Sequence, residues 1–184
     1  RNLYNGTSGT ELKGKKLGIH AFGQVGRNVA RIAKGFGMEV FAFDPYCPAS
    51  VMEAEGVKPI TDINELYSTC QYVSLHIPAT NETKKSINYA LLKQMPKGAM
   101  LINTARKEVI NEEELVQIMD ERPDFRYVSD ITPDNASVFA EKFTGRYFFT
   151  PKKMGAQTAE ANINAGIAAA KQSVGFLKEG IDKF

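Results

Sequence analysis

The 184 residues carry 23 Lys and Arg against 21 Asp and Glu, a net charge of +2, with 43% hydrophobic and 24% charged residues. That length suits one α/β domain with a substantial core, the composition is ordinary for a soluble globular chain, and the near-balance of charge argues against nucleic acid or a membrane surface as partner. Two cysteines, Cys47 and Cys70, lack C-x-x-C spacing, so neither a disulfide framework nor a metal site is expected; no apolar run is long enough to span a bilayer, and the expected compartment is the cytoplasm.

Residues 1–12 are polar and glycine-rich and read as a hinge or linker. Because the chain begins with Arg1 rather than Met, a piece of a longer protein is expected. Leu17, Ile19 and Ala21 then alternate with Gly18 and His20 in a strand pattern, and the chain turns at Gly23. Val25, Val29, Ile32, Ala33 and Phe36 follow at helical spacing. Strand, glycine turn and helix make the corner where a pyrophosphate rests on a helix N-terminus. The G-x-G-x-x-G fingerprint of that corner here reads Ala21-Phe22-Gly23-Gln24-Val25-Gly26. Gly23 leaves room for phosphate to approach the backbone, Gly26 lets the helix pack on the strand, and Ala21 is expected to crowd the turn only slightly. The next strand, residues 39–43, ends at Asp44, 18 residues beyond Gly26 and near the spacing of an acid that binds the adenosine ribose. A carboxylate there accepts from the ribose hydroxyls and repels a 2′-phosphate. Pro45, Tyr46 and Cys47 bring no cation, so the expected cofactor is NAD rather than NADP.

Further along, Pro45 and Pro48 break the chain before a short helix over 49–55 and an extended piece over 57–60. A helix over 62–67 is capped by Asp62 or Thr61, and a buried strand over 72–77 stops at Pro78. A helix over 88–94 ends before Pro96-Lys97-Gly98, and a strand covers 99–103. Asn111 caps a helix whose first turn holds Glu112, Glu113 and Glu114, where the helix dipole favours acids. Strands are predicted at 127–130 and 147–150. The last helix, 158–178, carries a stripe of Ile163, Ile167, Ala170, Val174 and Leu177. It either docks on its own domain or travels to a second domain or a partner. Strands alternating with helices predict a Rossmann-type, doubly wound parallel sheet in three α/β/α layers. Ligands of such a sheet bind at the carboxyl ends of its strands.

Several chemical residues fall at those ends. In Asn103-Thr104-Ala105-Arg106, the arginine is able to grip a carboxylate in two places, although a surface arginine has the same look. Asp130 ends a strand where it would meet a nicotinamide carboxamide. His76 precedes Ile77-Pro78, and a lone histidine is more often structural than catalytic. Lys152 and Lys153 lie between the last strand and the last helix, either as surface charge or facing the cofactor.

Five ordered stretches together resemble one family: the fingerprint with Asp44; residues 73–80; Leu101-Ile102-Asn103-Thr104-Ala105-Arg106; Ser129-Asp130-Ile131; and Thr150-Pro151 with Gly155-Ala156-Gln157-Thr158. It is the D-2-hydroxyacid dehydrogenases, and the chain is most similar to the branch that oxidises 3-phosphoglycerate with NAD at the entry to serine synthesis. The resemblance covers nearly the whole chain. It implies that Gly23, Gln24, Val25 and Gly26 lie under the pyrophosphate and that Asp44 binds the ribose. His76, Ile77, Pro78 and Thr83 would line the cofactor cleft, Thr104 and Arg106 would flank the nicotinamide, and Asp130 would hold its carboxamide. Arg106 would also orient a phosphorylated 2-hydroxy acid. The last helix, 158–184, would cross to a substrate domain absent here, and a homodimer is implied. Three departures stand out: Ala21; Lys107, where the family usually has Gly; and the catalytic pair. The family acid falls at Asn135, with Asp134 beside it as a substitute. The family histidine falls at Lys152 counted from Pro151, or at Lys153 counted back from Gly155. That loss keeps two alternatives open: a glycerate-type dehydrogenase, and an NAD-sensing corepressor-like binding protein.

Overall fold

The computed structural model describes residues 9–153, 155 and 157–180. Within these, Gly9 to Leu12 are exposed and have no regular structure, while the rest of the expected hinge lies outside the described residues, as do the last four residues of the expected crossover segment. Fourteen elements follow: β1 (Lys16–His20), α1 (Gln24–Gly35), β2 (Glu39–Phe43), α2 (Ala49–Ala54), β3 (Lys58–Pro59), α3 (Ile63–Thr69), β4 (Tyr72–Leu75), α4 (Tyr89–Leu92), β5 (Met100–Asn103), α5 (Glu112–Glu121), β6 (Arg126–Ser129), α6 (Ala136–Lys142), β7 (Tyr147–Phe149) and α7 (Ala159–Glu179). The strands form one sheet in the order β3-β2-β1-β4-β5-β6-β7, and every neighbouring pair is parallel. This is the doubly wound architecture the alternation predicts. β1 is central: Leu17 pairs Val40 on one side and Tyr72 on the other. Both faces of β1 are covered, so the polar-looking positions Gly18 and His20 are as buried as Leu17 and Ile19.

Side-chain caps begin the helices where short polar residues were expected. Asp62 accepts from Asn64 N, Asn88 from Leu91 N, Asn111 from Glu114 N and Thr158 from Ala161 N. α1 is different, because Gly23 occupies the cap and offers no side chain. Its first-turn N–H groups are left without a side-chain acceptor.

The buried face of α1 is only partly the predicted one: Ala33 is buried and Val29 packs half-buried against the core. Val25, Ile32 and Phe36, however, are 61%, 61% and 59% exposed, and Gly26 and Ala30 join Ala33 on the face toward the sheet. The cause is distance: a Cβ at Gly26 would come within 2.5 Å of the Ala21 carbonyl oxygen and 3.0 Å of Ile19 Cγ2. Only small residues fit so close a contact. Three other expectations change. β4 ends at Leu75 rather than residue 77, although the His76 N–H still donates to the His20 carbonyl at 2.9 Å. α6 was not foreseen. It begins after Pro133-Asp134-Asn135 and is anchored by Phe139 and Phe143, 0% and 1% exposed and one turn apart. α7 does form over 21 residues, but it buries none of them, so it does not dock on its own domain.

Candidate active site

All the strands point the same way, so their following turns converge. At the end of β1, Ala21 has φ +78°, the left-handed region that glycine enters freely and L-residues enter at about 1–2 kcal/mol. The alanine in the fingerprint therefore strains the backbone rather than merely crowding the turn. The next fingerprint position behaves differently: a Cβ at Gly23 would meet nothing within 4 Å. The approach to the bare N-terminus of α1 is thus open, which suits a phosphate.

Asp44 lies across from it, one residue past β2. Its Oδ2 accepts from Phe22 N and its Oδ1 from Tyr46 N, both at 2.8 Å. The carboxylate is fixed by the two turns it joins and keeps lone pairs for a ligand. It lines a cavity of 770 Å³ with His20, Ala21, Phe43, Ile63, Ile77, Pro78, Thr83 and Leu91, among others. Thr83 shapes this wall through its own loop: its hydroxyl donates to the Pro78 carbonyl at 2.6 Å and accepts from Thr80 N at 2.7 Å. His76, Ile77, Pro78 and Ala79 continue into a second cavity of 500 Å³, completed by Val25, Thr104, Ala105, Arg106 and Lys153. Ile77 and Pro78 are common to both, so the two cavities form one long cleft over the carboxyl ends of β1, β2, β4 and β5.

The turn that carries Arg106 is held from below. Asn103, 1% exposed, accepts from Ala105 N and donates to the Arg106 carbonyl, both at 3.0 Å. Sequence reading treated Asn103 only as a strand end; a buried amide followed by a three-residue turn is the signal that marks it. Lys153 reaches the same turn, where its Nζ donates to the Thr104 and Ala105 carbonyls at 2.9 and 2.7 Å and stands 3.8 Å from Asp130 Oδ2. Lys152 is exposed and is not among the residues that line the cleft. The other oxygen of Asp130, Oδ1, is buried without a partner among the described residues. A buried acceptor left single beside a cleft is where an amide donor is wanted, so the residues present fit the carboxamide of a nicotinamide.

His76 Nε2 is 3.0 Å from Ser74 Oγ, and burial lowers its pKa to about 4. It is a neutral wall of the cleft. The side chains of two sequence candidates, Gln24 and Asp134, are not brought to the cleft, nor is that of Asn135. The Gln24 side chain lines a separate cavity with Arg27, Arg31 and Glu55, while its backbone opens α1. Asp134 is paired with Lys107 at 2.5 Å, away from Arg106 and Lys153. Asn135, at the position of the family acid, donates instead to the Glu112 carbonyl at 3.2 Å. Gly26 is buried beneath the turn and acts through packing.

The comparisons decide what this cleft belongs to. Residues 2–147 match the NAD binding domain of the D-isomer specific 2-hydroxyacid dehydrogenases. The chain belongs to this family. It is 37% identical to D-3-phosphoglycerate dehydrogenase 3, chloroplastic, of Arabidopsis thaliana, over 97% of this chain and 30% of that protein. Among solved structures it is similar to the NAD+-bound 3-phosphoglycerate dehydrogenase of Entamoeba histolytica, at 47% identity and a TM-score of 0.84, covering 97% of this chain and 56% of that one. The apo D-lactate dehydrogenase of Escherichia coli follows at 28% identity and a TM-score of 0.78, over 96% of this chain and 56% of that one. The chain therefore spans about a third to a half of the length of such relatives and constitutes their NAD-binding domain. The larger cavity is the one that holds Asp44, and the smaller is the one that holds Thr104, Arg106 and Lys153.

Proposed function

We propose that this domain serves an NAD-dependent dehydrogenase that oxidises a D-2-hydroxy acid, and that the acid is 3-phosphoglycerate, on the way to serine. The observation that carries the reading is the meeting of Arg106, Thr104 and Lys153 around one cleft beside the unpartnered Asp130 oxygen. Bound NAD supplies the two-electron acceptor. Arg106 grips the substrate carboxylate with two parallel N–H donors and fixes the 2-hydroxyl relative to the cofactor. Lys153 takes the hydroxyl proton. As an ammonium its donors are held by two carbonyls and Asp130, and as an amine it offers a lone pair to the hydroxyl. Asp130 Oδ1 orients the carboxamide. Val25, Ile77 and Pro78 exclude water from one side.

The other side is left to the longer protein. The relatives' extra length supplies a substrate domain, and the exposed apolar residues of α1 and α7 are the surfaces that meet it or a second copy in a homodimer. No described helix is long and apolar enough to cross a membrane; a cytoplasmic location is part of the proposal.

The test is steady-state kinetics of the full-length protein with 3-phosphoglycerate, glycerate and lactate. Lys153→Ala should lower kcat at least about 100-fold, the low end for a general acid–base, while changing the NAD affinity little. Arg at that position stays protonated and should not rescue turnover. Lys152→Ala should be nearly silent. Near-normal turnover in Lys153→Arg would remove the lysine from the chemistry. NAD binding without turnover of any hydroxy acid would favour an NAD-sensing protein.

A further inference from the structure

At the larger cavity stands a pair of side chains that the reaction above does not use: His20, which lines it, and Tyr67, which does not line it and bonds to His20. Tyr67, on α3, is 0% exposed. Its hydroxyl lies 3.1 Å from His20 Nδ1 and has no other side-chain partner among the described residues. His20 ends β1, is 9% exposed, and lines the same cavity as Asp44. Its ring meets those of Phe43 and Tyr67 edge-on, at 5.8 and 5.9 Å between centroids.

The pair fixes where the ring proton sits. Burial keeps the imidazole neutral, with a pKa lowered to about 4, so one ring nitrogen carries a hydrogen and the other a lone pair. A buried phenol whose proton finds no acceptor forfeits a full hydrogen bond. Tyr67 is spared this only if it donates and Nδ1 accepts. The proton is then on Nε2. That nitrogen has no hydrogen-bond partner among the described residues, nor is it among the buried, unpartnered side-chain atoms, so it opens on the cavity. Asp44, at the same cavity, offers only acceptors.

We propose that His20 is a binding residue for the adenosine half of NAD, its Nε2–H donating to a ring nitrogen or ribose oxygen, with Tyr67 as the positioning residue that holds the tautomer. The donor of His20 and the acceptors of Asp44 together match a nucleoside, which carries acceptor atoms as well as hydroxyl donors. The proposal rests on the reading of this cavity as the nucleoside end of the cleft.

The test is calorimetric titration of the full-length protein with adenosine diphosphate and, separately, with nicotinamide mononucleotide. His20→Leu should weaken adenosine diphosphate about two- to tenfold, the effect of one hydrogen bond, and leave nicotinamide mononucleotide unchanged. His20→Gln keeps an amide donor and should recover most of the affinity. Tyr67→Phe should fall between, because the proton is then free to move to Nδ1. On the unmodified protein, 15N NMR of the ring should show a protonated Nε2 and a bare Nδ1, whether or not the leucine variant folds. Unchanged adenosine diphosphate binding in His20→Leu, equal loss for both probes, or a proton on Nδ1 would overturn the assignment. If the unmodified protein binds neither NAD nor adenosine diphosphate, the reading of the cavity fails with it; if it binds both and His20→Leu is silent, only the role of His20 falls.

Discussion

Single residues in this domain hold two jobs at once, and Asp44 is the clearest. Its two oxygens tie Phe22 N to Tyr46 N, joining the turn after β1 to the turn after β2, and the same carboxylate is the one that would refuse a 2′-phosphate. Asp44→Ser should therefore relax the preference for NAD over NADP and also lower stability. The part-buried Phe22 N–H would lose its acceptor, at about 1–3 kcal/mol if unsatisfied, whereas the exposed Tyr46 N–H would turn to water. Titration with both dinucleotides and urea unfolding on the same sample check the two effects together. The buried histidines set a second consequence. Burial lowers His20 and His76 to about 4, below the ordinary value of about 6.5 that each regains on unfolding. The unfolded chain thus binds protons more readily between those limits. Stability is fully present above about pH 6.5 and is lost as pH falls toward 4, on the order of 3 kcal/mol per histidine. Urea midpoints at pH 7.5, 5.5 and 4.5 should descend in that order, and a flat series would mean that the rings are hydrated.

At the scale of elements, the parallel, doubly wound sheet was legible because each strand is a short apolar run closed by a polar residue or proline, and most helices announce themselves with Asp62, Asn88, Asn111 and Thr158; the order of the strands was not. The partly wrong face of α1 shows what periodicity misses. Spacing marks apolar residues, whereas the contact at Gly26 selects small ones, and that is a matter of distance. α6 escaped notice because Phe139 and Phe143 form a pattern of only two residues. Of the candidate site, the glycines, Asp44 and the Thr104–Arg106 turn were readable from position after a strand. Between Lys152 and Lys153, counting back from Gly155 favours Lys153, but which lysine reaches the cleft depends on where a loop folds back. Asp134 was misjudged for a similar reason: its ion pair with Lys107 joins residues far apart in sequence. α7 yields a test of its own. Because it buries no residue, deleting residues 159–184 should change the melting temperature of the remainder by no more than about 2 °C, since lost stability follows lost burial. A larger fall in a thermal melt followed by circular dichroism would show that the helix packs on the sheet after all.

Taken whole, the domain presents a cleft with one wall. Arg106 is exposed, and the cleft over β5 is bounded by this domain on one side only. Residues 1–184 by themselves should bind NAD yet oxidise 3-phosphoglycerate at least about 100-fold more slowly than the full-length protein, because an open site keeps water near the reacting atoms and positions the substrate poorly. Comparison of kcat for the two, at saturating NAD, decides this. The strand order carries a consequence of another kind. β1 is made first and lies in the middle; β2 and then β3 extend one edge, and β4 through β7 extend the other in turn. Each strand that leaves the ribosome finds its neighbour already in place, and none has to wedge itself between two finished strands. A nascent chain is thus able to build this sheet outward as it is translated, so arrested chains of increasing length should gain protease resistance strand by strand rather than only after β7 emerges.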